Sequence, residues 1–137
     1  MTNKNYARIL ERAYYLELLG EAVYQQRAKQ RGNTETDKWG ELAHTENRMR
    51  CLIHDELGRV APVWKPNQLS MLAVRSLGFL SQLLGSRLFL KVIARVLDGR
   101  RYAAWAARVA DQNPTLWREL IEHEEIQVQH VQTRRGG

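Results

Sequence analysis

Apolar residues recur every three to four positions along most of this chain, the period of an amphipathic helix. Over residues 4–31 one stripe carries Ala7, Leu10, Ala13, Tyr14, Glu17, Gly20, Glu21 and Tyr24, mostly apolar with carboxylates interrupting it. The stretch RGNTETD ends that pattern: Gly32 and Asn33 suit a C-cap, and Thr34 or Thr36 an N-cap. A second helix is predicted over 36–57, with Trp39, Leu42, Ala43, Glu46, Met49 and Ile53 on one face. Pro62 and Pro66 then stop regular structure. Residues near 67–84 are apolar and helical in pattern, and a further helix is predicted from Ser86 to about Ala110. The turn DQNPT offers Asn113 or Asp111 as a cap and places Pro114 in the first turn of a last helix over 114–132. Residues 134–137 are expected to fray.

These elements predict an all-α fold in one domain over 1–133. Two helical hairpins, 4–57 and 86–132, are joined by a long, partly helical crossover over 58–85. Each hairpin has an apolar stripe to bury, and packing the two together gives a four-helix bundle.

An internal echo supports the pairing of the hairpins. Trp-x-Glu-Leu occurs at Trp39 and again at Trp117, 78 residues on, each followed by a Glu seven residues after the Trp, Glu46 and Glu124. Tyr24 and Tyr102 each stand 15 residues before their Trp, and Glu17 and Arg95 seven before each Tyr. Five of these six aligned pairs are identical, the first being Glu against Arg. Constant spacing across loops points to a duplicated hairpin.

Composition narrows the class. Apolar residues make up 44% and charged residues 26% of 137, a globular balance with helix formers dominant. The opening MTNKNYARIL lacks the apolar run of a secretory leader, and the one cysteine, Cys51, allows no internal disulfide. A cytoplasmic location is therefore expected, with a peripheral place at the inner membrane face as an extension of it. The net charge of +6 suits solvated helix surface as well as nucleic acid, and no basic recognition stripe favours a nucleic-acid adaptor. From Leu69 to Leu97 the only charges are Arg75, Arg87, Lys91 and Arg95, all positive. No apolar run there is long enough to span a bilayer. The segment 69–84 is expected to be buried in the bundle or against a second subunit or protein partner, an interfacial membrane helix being the alternative.

The inward stripes carry chemistry. Glu17, Glu46 and Glu124 all fall on faces that should be buried, and an inward carboxylate needs a partner, a proton or a metal. Here ELLGEAVYQQRA from Glu17, WGELAHTENRM from Trp39, LLGSRLFLKVIARVLDGRRYAAWA from Leu83 and WRELIEHEEIQVQH from Trp117 resemble the ferritin-like di-iron carboxylate superfamily. The likeness is to rubrerythrin-type domains and demethoxyubiquinone hydroxylases. It is one of pattern and spacing, covering most of the chain, and one long crossover between two hairpins is also the ferritin-like connectivity.

The resemblance implies a Glu on each of two helices and Glu-x-x-His on each of the other two. Glu17, Glu46 and Glu124 match three of these positions, but Met49 and Gln127 stand where the two histidines belong, and Arg95 where the third-helix Glu belongs. The ligand set therefore reads as degenerate, with no cofactor favoured and no catalytic residue assigned. Arg95 is expected to enter a core polar cluster with Glu17, Glu46, Glu124, Tyr24 and Tyr102, its guanidinium replacing metal charge. The function this implies is a non-catalytic binding or assembly protein; the alternative is a di-iron oxidoreductase of rubrerythrin or quinone-hydroxylase type.

Other registers stay open. Glu41 and His44 form a literal Glu-x-x-His but lie off the Trp39 stripe, which reads as surface. His123 and His130, seven apart, share a face with Glu119. If the helix phase differs by one position, a metal set of Glu17, Glu21, Glu46, Glu122, Glu125 and His130 becomes available. In the hydroxylase relatives, the resemblance implies that the crossover region helps the protein sit on a membrane.

Overall fold

The computed structural model describes residues 3–29, 35–96 and 100–136, and all regular structure among them is helical. The chain forms two compact units, Met1–Leu83 and Leu84–Gly137.

In the first unit, α1 (Asn3–Lys29) packs along α2 (Glu35–Val60), and α3 (Gln68–Leu80) packs on α1. The stripe on α2 is inward as its spacing requires: Trp39, Leu42, Ala43, Glu46, Met49 and Ile53 are all buried. On α1 the buried side is Tyr6, Leu10, Ala13, Tyr14, Glu17, Leu18 and Tyr24 among others. The caps proposed at Gly32, Asn33, Thr34 and Thr36 lie outside the residues whose side chains are described.

The connector after α2 is pinned by hydrogen bonds. Ala61 to Trp64 forms a turn (Trp64 N donating to Ala61 O at 2.9 Å) with Pro62 second in it, where its fixed φ is an advantage. Trp64 Nε1 donates to Glu11 Oε2 at 2.6 Å, and Asn67 N donates to the Tyr15 hydroxyl at 2.7 Å. Asn67 then caps α3, accepting from Ser70 N at 3.1 Å. These contacts aim α3 back along α1, where Gly78 faces Ala22: a Cβ built on Gly78 would run into Ala22 Cβ.

Of the covers expected for 69–84, the bundle or a second subunit or protein partner, the bundle supplies little. Leu69, Leu72, Leu77, Phe79, Leu80 and Leu83 are each more than half exposed, and Gly78 is the one buried residue of α3. A helix that docks through a glycine brings its backbone close and turns its large side chains away.

In the second unit, α6 (Pro114–Gly136) packs against α4 (Ser86–Val96) and α5 (Arg101–Val109). Of the two caps proposed for α6, Asn113 serves: its side chain accepts from Leu116 N at 3.2 Å. The single helix predicted from Ser86 to Ala110 is corrected to two helices, α4 and α5, with 97–99 outside the described residues. The sequence there contains Asp98-Gly99, a turn dipeptide that apolar periodicity outweighs in a stripe reading. At the end of α6, Thr133 Oγ1 donates to Gln129 O at 2.8 Å.

Candidate functional site

In the first unit two buried carboxylates face each other across α1 and α2. Glu17 is 2% and Glu46 3% exposed, and a carboxylate oxygen of one lies within 4.8 Å of one of the other. Gly20 makes room for the pair: a Cβ there would fall 2.6 Å from Glu46 Oε1 and 2.7 Å from its Cδ. Buried carboxylates this close repel when both are ionised, so the arrangement favours a proton or a cation between them.

One helical turn away, Glu21 belongs to a different network. It accepts from Arg50 Nε at 3.0 Å, from Asn47 Nδ2 at 3.0 Å and from Gln25 Nε2 at 3.4 Å. Burial opposes the Arg50 charge, but the hydrogen bonds to Glu21 and Tyr14 outweigh it and raise its pKa. Its guanidinium also lies 5.6 Å from the centre of the Tyr14 ring. Glu21 is thus committed to a structural ion pair on the outer side of the α1–α2 hairpin.

Each unit repeats a Tyr–Trp contact at the duplicated positions. Tyr24 stacks on Trp39 (centroids 5.5 Å, interplanar angle 25°), and Tyr102 meets Trp117 edge to face (6.3 Å, 72°). The echo in the sequence therefore marks the aromatic pair that joins two helices within a unit. Burial pushes the Tyr24 hydroxyl well above its ordinary pKa. Unfolding returns it to about 10, so above pH ~10 the unfolded chain loses a proton the folded one keeps. Stability is expected to fall by up to about 1.4 kcal/mol per pH unit there. Tyr24→Phe should remove that slope in chemical unfolding followed between neutral and alkaline pH.

In the second unit α6 turns Leu116, Trp117, Leu120, His123, Glu124, Gln127 and Val131 inward. Glu124 is held at the start of α5: its Oε1 accepts from Tyr102 N at 3.4 Å, while Arg100 at the N-cap makes no side-chain cap bond. A carboxylate there satisfies an orphan amide and suits the positive end of the helix. Glu124→Ala is expected to cost about 1–2 kcal/mol, with faster amide exchange in α5, whereas Glu124→Gln should retain most of the stability. Gln127 Nε2 lies against His123 Nε2, and the amide can donate there when the ring proton is on Nδ1.

The remaining sequence candidates divide clearly. Met49 and Gln127 are buried. Arg95 is exposed, so its place in a core polar cluster is corrected. On α4 it follows Arg87 and Lys91 at four-residue spacing while Phe89 supplies the buried side, and outward placement leaves the guanidinium hydrated. Glu41 and His44 are exposed, in keeping with a surface reading of that Glu-x-x-His. In the alternative metal set Glu21 is clamped by Arg50, Glu122 and Glu125 are exposed and His130 is half-buried. The buried imidazole is His123; its spacing from Trp117 and Leu120 was the signal that could have placed it inward. Glu56 was also missed: it is buried, accepting from Tyr6 Oη at 2.7 Å and from Arg59 Nε at 2.6 Å.

The donor set is a poor one for two irons: near the buried carboxylates Met49 and Gln127 offer only a thioether and a carboxamide, Arg95 is exposed, and Glu124 is engaged at a helix terminus. Comparisons of the chain with family models, with curated proteins and with solved structures found no match.

Proposed function

We propose that the chain is a ferritin-like helical-bundle protein whose di-iron site has degenerated, and that it works as a non-catalytic binding or assembly protein. The observation that carries the binding role is the outward face of α3 and the turn after it, where six large apolar side chains are more than half exposed. Patches of this kind mark interaction surfaces. The partner proposed is a second copy of the chain, packed through this face as a homodimer. Arg75 is the one charged residue on α3, so an apolar interface of that kind desolvates little charge.

Light scattering is expected to give a dimer, and Leu72→Ser with Phe79→Ser is expected to give a folded monomer. A wild-type monomer, or a dimer indifferent to these substitutions, would overturn the assignment of the face. Metal analysis after expression with iron should find no stoichiometric iron.

A second reading, a di-iron oxidoreductase, is favoured by the Glu17–Glu46 pair, two buried carboxylates with oxygens within 4.8 Å of each other. About two irons per chain, lost in Glu17→Gln, would replace the first reading with this one. A single divalent cation held by the pair would instead appear as a rise in Tm without that stoichiometry; at a hundred times its Kd a ligand stabilises by about 2.7 kcal/mol.

A further inference from the structure

The second unit carries a groove and a ridge of opposite character. The groove runs between the end of α5 and the first half of α6 and has a volume of about 350 Å³. On its α5 side Ala106 and Ala110 offer only methyl groups, which leaves a hollow over Trp117 and Ile121. Glu122 and Glu125 stand along the α6 edge of the hollow, with Arg118 one turn before Glu122. All three charged residues are exposed, and no ion pair among the described residues involves them. Two carboxylates against one guanidinium leave that edge acidic.

The ridge is the outer face of α4. Arg87, Lys91 and Arg95 follow one another at four-residue spacing, which stacks them along one side of the helix, and all three are exposed. Leu88 and Val92 stand beside them at 51% and 40% exposure, whereas Phe89 is buried. Like charges four residues apart weaken a helix, and no Asp or Glu occurs between Glu56 and Asp98 to offset them.

Each surface therefore presents what the other lacks. The groove has an apolar hollow beside carboxylates without a cation, and the ridge has exposed aliphatic groups beside cations without a carboxylate. Because the ridge residues are exposed, the ridge does not fill the groove of its own chain. A second copy can supply it.

We propose that α4 of one copy docks in the α5–α6 groove of another, with Leu88 and Val92 over Trp117 and Ile121 and the cations against Glu122 and Glu125. The two surfaces differ, so the contact is heterologous: each copy keeps a free ridge or groove for the next, and copies add head to tail. Arg118 sets the direction. α4 has no carboxylate to meet it, so the ridge lies toward the Glu125 end of the groove. None of the α3 residues assigned to the dimer takes part, and the two contacts can be tested apart.

The test is sedimentation velocity of the full chain over a concentration series, in the parent and in the Leu72→Ser, Phe79→Ser background. In both, association beyond the species formed through α3 is expected, growing with concentration. It should dissociate in high salt, because the screening length shrinks from about 10 Å at 0.1 M to about 3 Å at 1 M. Glu122→Lys with Glu125→Lys reverses the groove edge, and Arg87→Glu with Lys91→Glu reverses the ridge. Like charges then face each other, and each double variant alone should associate on the order of a hundred-fold more weakly. Mixing the two double variants should restore association, since each ridge then meets a groove of opposite charge. A variant that had merely failed to fold would not recover in this way, and circular dichroism verifies the fold of each. Leu88→Asn should weaken association while leaving its salt dependence intact. A parent that forms nothing beyond the α3 species would overturn the proposal and leave the groove to a different partner. Association indifferent to either reversal, or a mixture that stays dissociated, would overturn it equally.

Discussion

Gly78→Ala is expected to destabilise the protein by about 2–3 kcal/mol, even though alanine is the better helix former by up to about 1 kcal/mol. The new methyl group would run into Ala22 Cβ and sit 3.1 Å from the Ala22 carbonyl carbon. The second of these is backbone of a long helix and cannot turn aside. Relief requires α3 to move off α1, and the contacts that hold the connector, Trp64 to Glu11 and Asn67 to Tyr15, would then carry strain. Gly58→Ala is the control: Gly58 lies in α2 with nothing within 4 Å of its missing Cβ, so propensity alone acts there and should stabilise by about 0.5–1 kcal/mol. Urea unfolding separates the two signs. Hydrogen exchange shows whether the loss at Gly78 is global or confined to α3. Adding Ala22→Gly to Gly78→Ala should restore part of the loss, because the shortest contact disappears while the backbone contact remains. A Gly78→Ala protein as stable as Gly58→Ala would mean that α3 does not dock here.

What the sequence made legible was whatever depends on periodicity. The α2 stripe from Trp39 to Ile53 is inward without exception, and the repeated Tyr and Trp meet within each unit. Glu17, Glu46 and Glu124 are buried for the same reason: they occupy stripe positions whatever their charge. The errors came where one feature was made to follow from another. Arg95 was placed inward because the echo aligned it with Glu17, yet the helix carrying it ends at Val96 and a new one begins at Arg101. Alignment by spacing assumes an unbroken helix, and a break changes which side each residue presents. The exposure of α3 was hidden by composition. Nine large apolar residues between Leu69 and Leu84 suggest burial, and only the Gly78–Ala22 approach reveals that a small-residue seam does the docking. Spacing alone also could not tell a ligand from a cap, since the role of Glu124 depends on where α5 starts.

The carboxylate pair gives the other large expected effect. Gly20→Ala should cost about 2 kcal/mol, again against the helix propensity of the substitution. The atoms in the way differ from those at Gly78. They are the Glu46 side chain, with Oε1 at 2.6 Å, Cδ at 2.7 Å and Oε2 at 3.1 Å from the new Cβ. The end of an exposed glutamate would swing aside at little cost. Glu46 is 3% exposed, so moving its carboxylate means repacking buried neighbours or placing a polar group against apolar ones. A double-mutant cycle isolates the contact. Glu46→Ala removes the obstructing atoms, so Gly20→Ala made in that background should be neutral or stabilising. The two substitutions should therefore couple by about 2 kcal/mol, within the range seen for residues in direct contact. The same cycle bears on metal binding: if a divalent cation raises Tm through Glu17 and Glu46, Gly20→Ala should reduce that rise by displacing one of its two oxygen donors. Additive stabilities in the cycle would show that Gly20 does not shape the position of Glu46, and the glycine would then be an ordinary weak point of α1.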